Sequence, residues 1–271
     1  MSAKKHVAVF CVFLYTAALL CGCGTGAKKD ETGEKPKLVI GSDEYEPYIY
    51  VNDEGGYSGI DADLAKEACR RMGYDAEFRI IKWDDKDNYL QGGAVDCLWG
   101  SFSMNGREDN YTWVGPYMYS KQGVMVLADS DIYALRDLEG KNIAVQASTK
   151  PEEIFLNRTC DNIPNVNNLY CFTEMDELFA AMQKGYVDAC AGHETALRIF
   201  MTNAPDRYRI LEESLFTSSI GVAFAKNADG KLPSLLEMTL EEMKRDGTLE
   251  NIIETYGISS KISGGNNSWT L

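Results

Sequence analysis

The chain has 271 residues, of which 45% are hydrophobic and 25% charged, a composition typical of a folded soluble protein and unlike that of a disordered or fibrous chain. It carries 41 acidic against 27 basic residues and a net charge of −14. This deficit of Lys and Arg argues against nucleic acid or an anionic lipid surface as a partner, and it favours small molecules or proteins. The length allows one large core or two modest ones.

The N-terminus has the pattern of a secretion signal. Two lysines precede an uncharged apolar run over residues 7–20, which is too short to span a bilayer comfortably and has the length of a signal-peptide core. Residues 20–23, Leu-Cys-Gly-Cys, resemble the lipobox of bacterial lipoproteins, which implies that residues 1–22 are removed and that Cys23 receives a diacylglycerol anchor. A plain secretory signal with two incidental cysteines is the alternative. The polar residues 23–36 cannot pack and predict a flexible tether.

The cysteines after Cys23 do not have the pattern of a metal site. They are scattered, without a Cys-x-x-Cys pair, and the chain has only two histidines, so neither a metal nor a cofactor is expected. Cys69 and Cys97 lie in apolar runs and are interpreted as core residues. Cys160 and Cys171 flank a polar loop, where an oxidising exterior allows either a disulfide or two free thiols.

From residue 37 the chain alternates strand-like and helix-like stretches. The patterns predict a β-branched strand, an amphipathic helix closed by Gly73, a second strand, a short helix closed by glycine, and an apolar strand. These elements cover residues 37–41, 61–73, 75–81, 87–93 and 95–100, in that order. This order predicts a parallel sheet with helices on its faces, and such sheets bind ligands beyond the carboxyl ends of their strands.

A second set of the same kind follows. Its predicted elements are a strand at 141–146, helices at 150–158 and 176–185, and a strand at 187–192. Residues 93–101 and 185–193 also share one pattern, in which Gly, Val-Asp and an apolar strand precede Gly and a polar residue. Two α/β lobes are therefore expected, and if they face each other, the loops at Ser101 and His193 meet across a cleft.

The rest of the chain does not repeat this set. Two strands are predicted at residues 207–211 and 218–227, and two helices within residues 233–257, joined at Asp246-Gly247. Because no third set is visible, these helices are expected to return and pack on an existing lobe. The tail, residues 259–271, is polar and Gly-rich and is expected to be frayed.

Residues 59–72, GIDADLAKEACRRM, resemble the signature of the family 3 extracellular solute-binding proteins of ABC transporters. The glycine, the bulky apolar residue, the two alternate acids and the following leucine match, whereas Ala62 replaces a larger apolar residue. The order of elements up to about Gly257 is also similar. The resemblance implies the α/β fold of type II periplasmic binding proteins, with two lobes joined by two crossover strands and a ligand cleft between them.

On this resemblance, lobe 1 is expected over residues 37–121 plus 222–258, and lobe 2 over residues 122–221. The chain crosses between the lobes near residues 119–124 and again near residues 218–222. These crossings are the expected hinge, about which binding of a ligand would close the lobes.

The resemblance also implies ligand contacts in lobe 1. Tyr45 matches the aromatic residue that covers the ligand, with packing inside its own lobe as the alternative. Ser101, Ser103 and Arg107 match the stretch that holds an α-carboxylate, although the interval from Ser103 to Arg107 is one residue shorter than usual. A planar guanidinium offers paired donors that fit a carboxylate. The alternative is a surface ion pair between Arg107 and the two acids that follow it.

In lobe 2, Ser148 and Thr149 match the loop before a helix whose free N–H groups face the carboxylate, with helix capping alone as the alternative. At His193, typical amino-acid binders have an Asp that pairs with the ligand's ammonium. A neutral imidazole does not neutralise an ammonium, and a protonated one repels it. Either Glu194 takes over, or the ligand is not a standard α-amino acid. A histidine satisfied within its own loop is the remaining alternative.

Two tryptophans are candidates for an apolar wall of the pocket. Trp99 ends the last strand of the first set, in the direction of the cleft, and Trp83 comes just after another strand. Packing of Trp83 against its own helix is the alternative.

The leading interpretation is a monomeric receptor without enzymatic activity. It would be anchored at the cell surface or in the periplasm by Cys23, capture a small carboxylate-bearing solute such as an amino acid or a derivative, and deliver it to an ABC permease. One alternative is a ligand-sensing input protein of a signalling system. Another is a dehydratase or hydrolase of the same fold, with His193 and Glu194 as acid and base, although the chain shows no activated Ser or Cys arrangement.

Overall fold

The computed structural model describes residues 34–160, 162–263 and 266–270, with side chains up to residue 258. The signal segment, Cys23 and all but the end of the tether lie outside the described residues. Beyond the tether the chain forms one compact unit. None of the described helices is long and apolar enough to cross a membrane.

Within the described residues there are thirteen β-strands, seven α-helices and two short 3₁₀ helices. The strands are β1 (Lys37–Ser42), β2 (Tyr50–Val51), β3 (Tyr57–Ser58), β4 (Asp75–Ile80), β5 (Cys97–Leu98), β6 (Tyr111–Leu127), β7 (Asn142–Gln146), β8 (Asn168–Phe172), β9 (Ala189–His193), β10 (Tyr208–Ile210), β11 (Phe216–Ala225), β12 (Ser259–Ser263) and β13 (Asn266–Thr270). The α-helices are α1 (Ile60–Met72), α2 (Lys86–Gln91), α3 (Lys150–Asn157), α4 (Met175–Gln183), α5 (Glu194–Thr202), α6 (Lys231–Arg245) and α7 (Thr248–Thr255). The 3₁₀ helices are Trp83–Asp85 and Leu135–Leu138.

Nine of these strands build one sheet in the order β4-β1-β5-β11-β6-β9-β7-β8, with β10 paired to β6. In lobe 1, β1 runs parallel to β4 and β5, and in lobe 2, β7 runs parallel to β8 and β9. Between these halves, β6 and β11 are antiparallel to each other and to their neighbours. The sheet is therefore two parallel halves joined by an antiparallel ribbon, and the predicted α/β fold with two crossover strands is confirmed.

The crossover strands β6 and β11 lie side by side. In lobe 1, Ala223 of β11 pairs with Leu98 of β5, and in lobe 2, Gln122 of β6 pairs with His193 of β9. Between these two points Ser219 pairs with Tyr119. The two segments expected to act as a hinge therefore lie opposite each other in a single ribbon.

Helix α1 covers one face of lobe 1, as the spacing of its apolar residues predicts. Leu64 and Ala68 are fully buried, and the helix ends at Gly73, whose left-handed backbone has a φ of 78°. The C-terminal helices α6 and α7 return to the same lobe. Arg71 of α1 places its Nη1 2.6 Å from Oδ2 of Asp246, in the turn between α6 and α7. The C-terminal helices therefore pack on lobe 1, as the sequence analysis expected.

Lobe 2 has an apolar core of its own. Ile143 and Val145 of β7 are fully buried against Ile154 and Phe155 of α3, together with Leu138 from the second 3₁₀ helix. This packing fixes the direction in which α3 leaves the end of β7, which matters because the start of α3 faces the other lobe.

The structure contains two elements that the sequence did not predict, corrects the expectation for the tail, and answers the open question about Cys160 and Cys171. Strand β8 and helix α5 were not predicted from the sequence. In the described part of the tail, residues 259–263 and 266–270 are not frayed, because β12 pairs with β13 in an antiparallel ladder. Cys160 and Cys171 are both free thiols, and the Cys160 Sγ donates a hydrogen bond to the Leu215 carbonyl oxygen at 3.3 Å. Cys69 and Cys97 are buried, as core residues are.

Candidate functional site

A cavity lies at the carboxyl ends of the parallel strands. Asp43 follows β1, Ser101 follows β5, Ser148 follows β7 and His193 ends β9, and all four residues line the cavity. Its volume is about 30 Å³, which leaves room for about two water molecules. A solute of amino-acid size therefore enters only if the lobes or the lining side chains move apart.

Eight of the ten side chains that the sequence singled out line this cavity. They are Tyr45, Trp83, Ser101, Ser103, Arg107, Ser148, Thr149 and His193. The first five belong to lobe 1 and the last three to lobe 2, so the cavity is an interface between the two lobes. The loops at Ser101 and His193 meet across it.

Arg107 lies in the loop after β5 and reaches toward lobe 2. Its side chain is 14% exposed and its guanidinium lies 5.5 Å from the centre of the Phe102 ring. Nη1 donates to the Ser103 carbonyl oxygen at 3.3 Å, and Nη2 lies 3.3 Å from Oε2 of Glu153 on α3. The ion-pair partner of Arg107 is thus a carboxylate of the opposite lobe and not either acid that follows it in the sequence. The guanidinium is placed to hold a carboxylate at the interface.

Asp61 positions the loop that carries Ser101. This aspartate of α1 is fully buried, and its Oδ2 accepts a hydrogen bond from the Ser101 N–H at 2.6 Å. Its Oδ1 accepts a hydrogen bond from the Tyr117 hydroxyl at 2.8 Å. Burial raises the pKa of Asp61 to about 7, against the lowering effect of these two donors. The Ser101 N–H is therefore committed to Asp61, and Ser101 takes a left-handed backbone with a φ of 45°.

The loop between β7 and α3 presents the start of a helix to the cavity. Ser148 has a left-handed backbone with a φ of 59°, and its N–H donates to Oε2 of Glu152 at 2.7 Å. The Thr149 hydroxyl donates to the Gln146 carbonyl oxygen at 2.6 Å. These bonds hold the turn so that the positive end of α3, with Lys150, lines the cavity.

His193 is buried in a network of neutral groups. Its backbone N–H donates to the Tyr45 hydroxyl at 3.1 Å, and its Nδ1 lies 3.0 Å from the Ser120 hydroxyl oxygen. Burial lowers the pKa of His193 to about 4, so that its imidazole is neutral at pH 7. The site therefore has no carboxylate at the position where typical amino-acid binders have one.

Gln122 is a lining residue that the sequence did not reveal. It is 1% exposed, and its Nε2 donates to the Ser218 hydroxyl at 2.9 Å and lies 3.1 Å from Nε2 of His193. Its Oε1 is buried without a hydrogen-bond partner among the described residues. A buried amide oxygen without a partner is costly, so this atom is a candidate acceptor for a ligand donor. A glutamine within a strand gives no sequence signal for such a role.

Asp43 and Gln146 form a second polar contact across the cavity. Both line it, and Gln146 Nε2 donates to Oδ2 of Asp43 at 2.5 Å. Burial raises the pKa of Asp43 to about 6, although the bond from Gln146 opposes this. The sequence analysis singled out neither residue, although Asp43 directly follows β1 and Gln146 ends β7.

Two lysines at the interface were also missed. Lys150, on α3, donates to the Asn105 carbonyl oxygen at 3.2 Å and lies 2.6 Å from Oε1 of Glu153. Lys86, at the start of α2, is 5% exposed. It lies in the polar stretch KWDDKD, which is typical of an exposed helix face. The pattern therefore predicts an exposed side chain, whereas Lys86 is buried.

Trp99 and Glu194 do not line the cavity. Trp99 is fully buried inside lobe 1, with its ring centre 5.9 Å from that of Tyr117, so it packs in the core and is not a pocket wall. Glu194 is the first residue of α5, and its Oε1 lies 2.8 Å from Nε of Arg198 one turn further along. The pair His193 and Glu194 is therefore not assembled as an acid and a base in one cavity.

The fold and the interlobe cavity define a solute-binding protein of the two-lobed type. The sequence model of the bacterial extracellular solute-binding proteins, family 3, matches residues 38–259. The chain belongs to this family, and the resemblance seen in residues 59–72 is confirmed.

Named relatives of the chain are binding proteins. It is 25% identical over 267 residues to the L-cystine-binding protein TcyA of Bacillus subtilis, covering 93% of this chain and 97% of TcyA. It is 26% identical over 230 residues to the histidine-binding periplasmic protein of Salmonella typhimurium, covering 81% of this chain and 87% of that protein. Among solved structures, Tv2483 bound to L-arginine is similar with a TM-score of 0.76 and 29% identity, over 82% of this chain and 90% of Tv2483.

Proposed function

We propose that this protein captures a small carboxylate-bearing solute, an amino acid or a derivative of one, and delivers it to the permease of an ABC transporter. It acts as a monomer on the outer side of the membrane, held there by a lipid on Cys23. The carrying observation is Arg107, a largely buried guanidinium that lies in the wall of an interlobe cavity and meets a carboxylate of the opposite lobe.

The chemistry around Arg107 suits a carboxylate better than it suits other groups. The guanidinium, the ammonium of Lys150 and the N-terminal end of α3 place positive potential at one side of the cavity. Glu153 pairs with both cations, and a ligand carboxylate replaces that contact by a similar charge-assisted one. The relatives bind amino acids according to their names, which supports an α-carboxylate as the group held here.

The ligand is bound and not converted, in this proposal. His193 is neutral and hydrogen-bonded to neutral groups, and Glu194 lies in an ion pair outside the cavity. The cavity thus does not bring together His193 and Glu194, the acid and base pair that the enzyme alternative requires.

The test compares Arg107→Met with Arg136→Met, which removes the same charge from an exposed position. Binding of the twenty amino acids is measured by calorimetry on the mature domain without its lipid. The unmodified protein is expected to bind at least one of them without turnover, and Arg107→Met is expected to lose about a hundredfold or more in affinity because a buried carboxylate contact is removed. Equal affinity of both variants would exclude Arg107 from the site, and release of a product would contradict the receptor.

The anchor is tested separately. Cys23→Ser is expected to move the protein from the membrane fraction to the soluble fraction of the producing cells, because the thiol is the site of lipid attachment. Persistence of the variant in the membrane fraction would contradict the lipobox interpretation.

A further inference from the structure

Two basic side chains, Arg107 and Lys150, line the interlobe cavity, and a third, Lys86, lies next to its wall, but only the first two have a carboxylate partner. Arg107 and Lys150 share Glu153. Lys86 does not: among the described residues, no carboxylate oxygen lies within ion-pair distance of its Nζ. The ammonium donates instead to the backbone carbonyl oxygens of Trp83 at 3.2 Å and Ser148 at 3.5 Å.

Lys86 lies against the wall of the cavity. Its Nζ is 5.2 Å from the centre of the Trp83 ring and 5.7 Å from that of Phe102, and both rings line the cavity, as Ser148 does. The guanidinium of Arg107 lies within 5.5 Å of the centre of the same Phe102 ring. Both cations therefore lie within 5.7 Å of the centre of one aromatic side chain of the wall, and Lys86, like Arg107, contacts the opposite lobe, through the Ser148 carbonyl oxygen.

A buried ammonium without a counter-ion is unfavourable, because desolvation of the charge is repaid only by a close anion. Desolvation accordingly lowers the pKa of Lys86; nearby Asp87 opposes this effect most, Arg107 adds to it, and Asp43 and Asp84 oppose it further. Asp43 itself is engaged by Gln146. Lys86 does not have the position of a surface lysine either. It is 5% exposed, whereas Lys82, four residues earlier, is exposed.

We propose that Lys86 forms a second anion subsite, so that the ligand carries an additional acid group besides the carboxylate that Arg107 holds. This proposal rests on the proposed function, because Arg107 must take the first carboxylate. The ligand class is then a compact diacid: an acidic amino acid, or a dicarboxylate without an ammonium. The neutral imidazole of His193 permits either member of the class, since it neither requires nor neutralises an ammonium.

The experiment uses pairs of probes that differ only by an acid or an amide at one end. The pairs are L-glutamate and L-glutamine, L-aspartate and L-asparagine, glutarate and glutaramate, and succinate and succinamate. Dissociation constants are measured by calorimetry for the unmodified protein, for Lys86→Met and for Lys82→Met, a control that removes the same charge from the exposed position. Lys86→Gln serves as a second variant if Lys86→Met does not fold.

In at least one pair the unmodified protein and Lys82→Met are expected to prefer the acid by tenfold or more, the effect of a charge-assisted contact in a dry site. Lys86→Met is expected to bring that ratio close to one while the affinity for the amide stays within a few-fold. A purely structural role of Lys86 would weaken acid and amide alike and leave the ratio unchanged.

Two negative outcomes are distinct. If the unmodified protein binds the amides or other amino acids as tightly as the diacids, or if Lys86→Met keeps the acid preference, the second subsite is overturned while the receptor function stands. If neither these probes nor any of the twenty amino acids binds, the proposed function fails and the subsite fails with it.

Discussion

Asp61 explains why the family signature and the ligand loop belong together. The signature has two acids at alternate positions, and their side chains have different partners. Asp61 turns inward and accepts the Ser101 N–H and the Tyr117 hydroxyl. Asp63 accepts a hydrogen bond from the hydroxyl of Tyr256, beyond the last helix, at 2.6 Å. One acid therefore holds the site loop, and the other fixes the C-terminal helices to α1.

His193 makes a contribution to the free energy of unfolding that decreases as the pH falls. Its pKa is lowered to about 4, against an ordinary value of 6.5. Between these two pH values the unfolded chain binds more protons than the folded one, so the free energy of unfolding falls as the pH drops through this window. Relative to His193→Gln, the unmodified protein should lose up to about 3 kcal/mol between pH 7 and pH 4.

The measurement is urea unfolding of both proteins across this range, followed by circular dichroism. Asp43 and Asp61, whose raised pKa values act in the opposite direction, are present in both proteins and cancel in the difference. A difference that does not vary with pH would mean that His193 titrates normally in the folded state.

At the scale of elements, the start of α1 depends on a glycine. Gly59 precedes the helix with a φ of 121° and a ψ of 167°, a region open almost only to glycine. A Cβ at this position would lie 2.2 Å from the Tyr48 carbonyl oxygen. The signature therefore begins with glycine because the chain passes too close to the backbone at Tyr48 for any side chain.

Gly59→Ala is expected to cost about 3 kcal/mol or more in the free energy of unfolding, because the left-handed strain adds to a backbone collision. Gly230→Ala is the matched control, since Gly230 has a negative φ of −61° and nothing within 4 Å of an added Cβ. Chemical denaturation of both variants measures the effect. Equal stability of the two would show that the chain relaxes around residue 59 without cost.

The elements that the sequence predicts are those with a strong period and clear ends. Helix α1 has both, with its apolar spacing and Gly73. Strand β8 is a largely exposed edge strand, and it directly continues the Asn-rich stretch 162–168, which is typical of a loop. Helix α5 begins at Glu194, directly after β9, and its N-cap residue His193 makes no side-chain capping bond, so the usual start signal is absent.

The candidate site shows the same division. Side chains that directly follow strands, such as Ser101 and Ser148, are predictable because strand ends converge at one edge of a sheet. Gln122 and Lys86 are not predictable in this way. Gln122 reaches the cavity only because the two crossover strands meet there, and Lys86 has the polar sequence neighbours of a surface residue. Glu194 was placed wrongly because the step from a strand into a helix turns the next side chain away from the cavity.

At the scale of the whole molecule, contacts between protein groups join the two lobes. They include Tyr45 with His193, Asp43 with Gln146, Arg107 with Glu153, Asn105 with Lys150, and Lys86 with Ser148. The closed arrangement therefore has its own stabilising bonds, and ligand affinity depends on how much closure costs or gains.

Tyr45→Phe is expected to favour the open arrangement. It leaves the His193 N–H without its partner when the lobes are closed, whereas water can hydrate that N–H when they are open. The cost, about 1 to 3 kcal/mol, falls on the closed form only. Ligand affinity should fall about tenfold, and small-angle scattering of the unliganded protein should give a larger radius of gyration.

The matched control is Tyr186→Phe, which removes the same hydroxyl from an exposed position. Scattering curves of Tyr45→Phe that coincide with those of the control would contradict a role of this bond in closure.

Gln122 lies both in the cavity wall and on the crossover ribbon, where it meets Ser218 of the second crossover strand and His193 of lobe 2. If the crossover ribbon acts as the expected hinge, Gln122 lies at the pivot between the two lobes. When two lobes rotate about a hinge, a small displacement near the hinge becomes a large displacement at their outer ends. A ligand that shifts Gln122 by a fraction of an ångström would then change the separation of the distant lobe surfaces by a larger amount. Under the proposed function, the permease contacts those outer surfaces, so it would respond to how well a ligand fits next to Gln122.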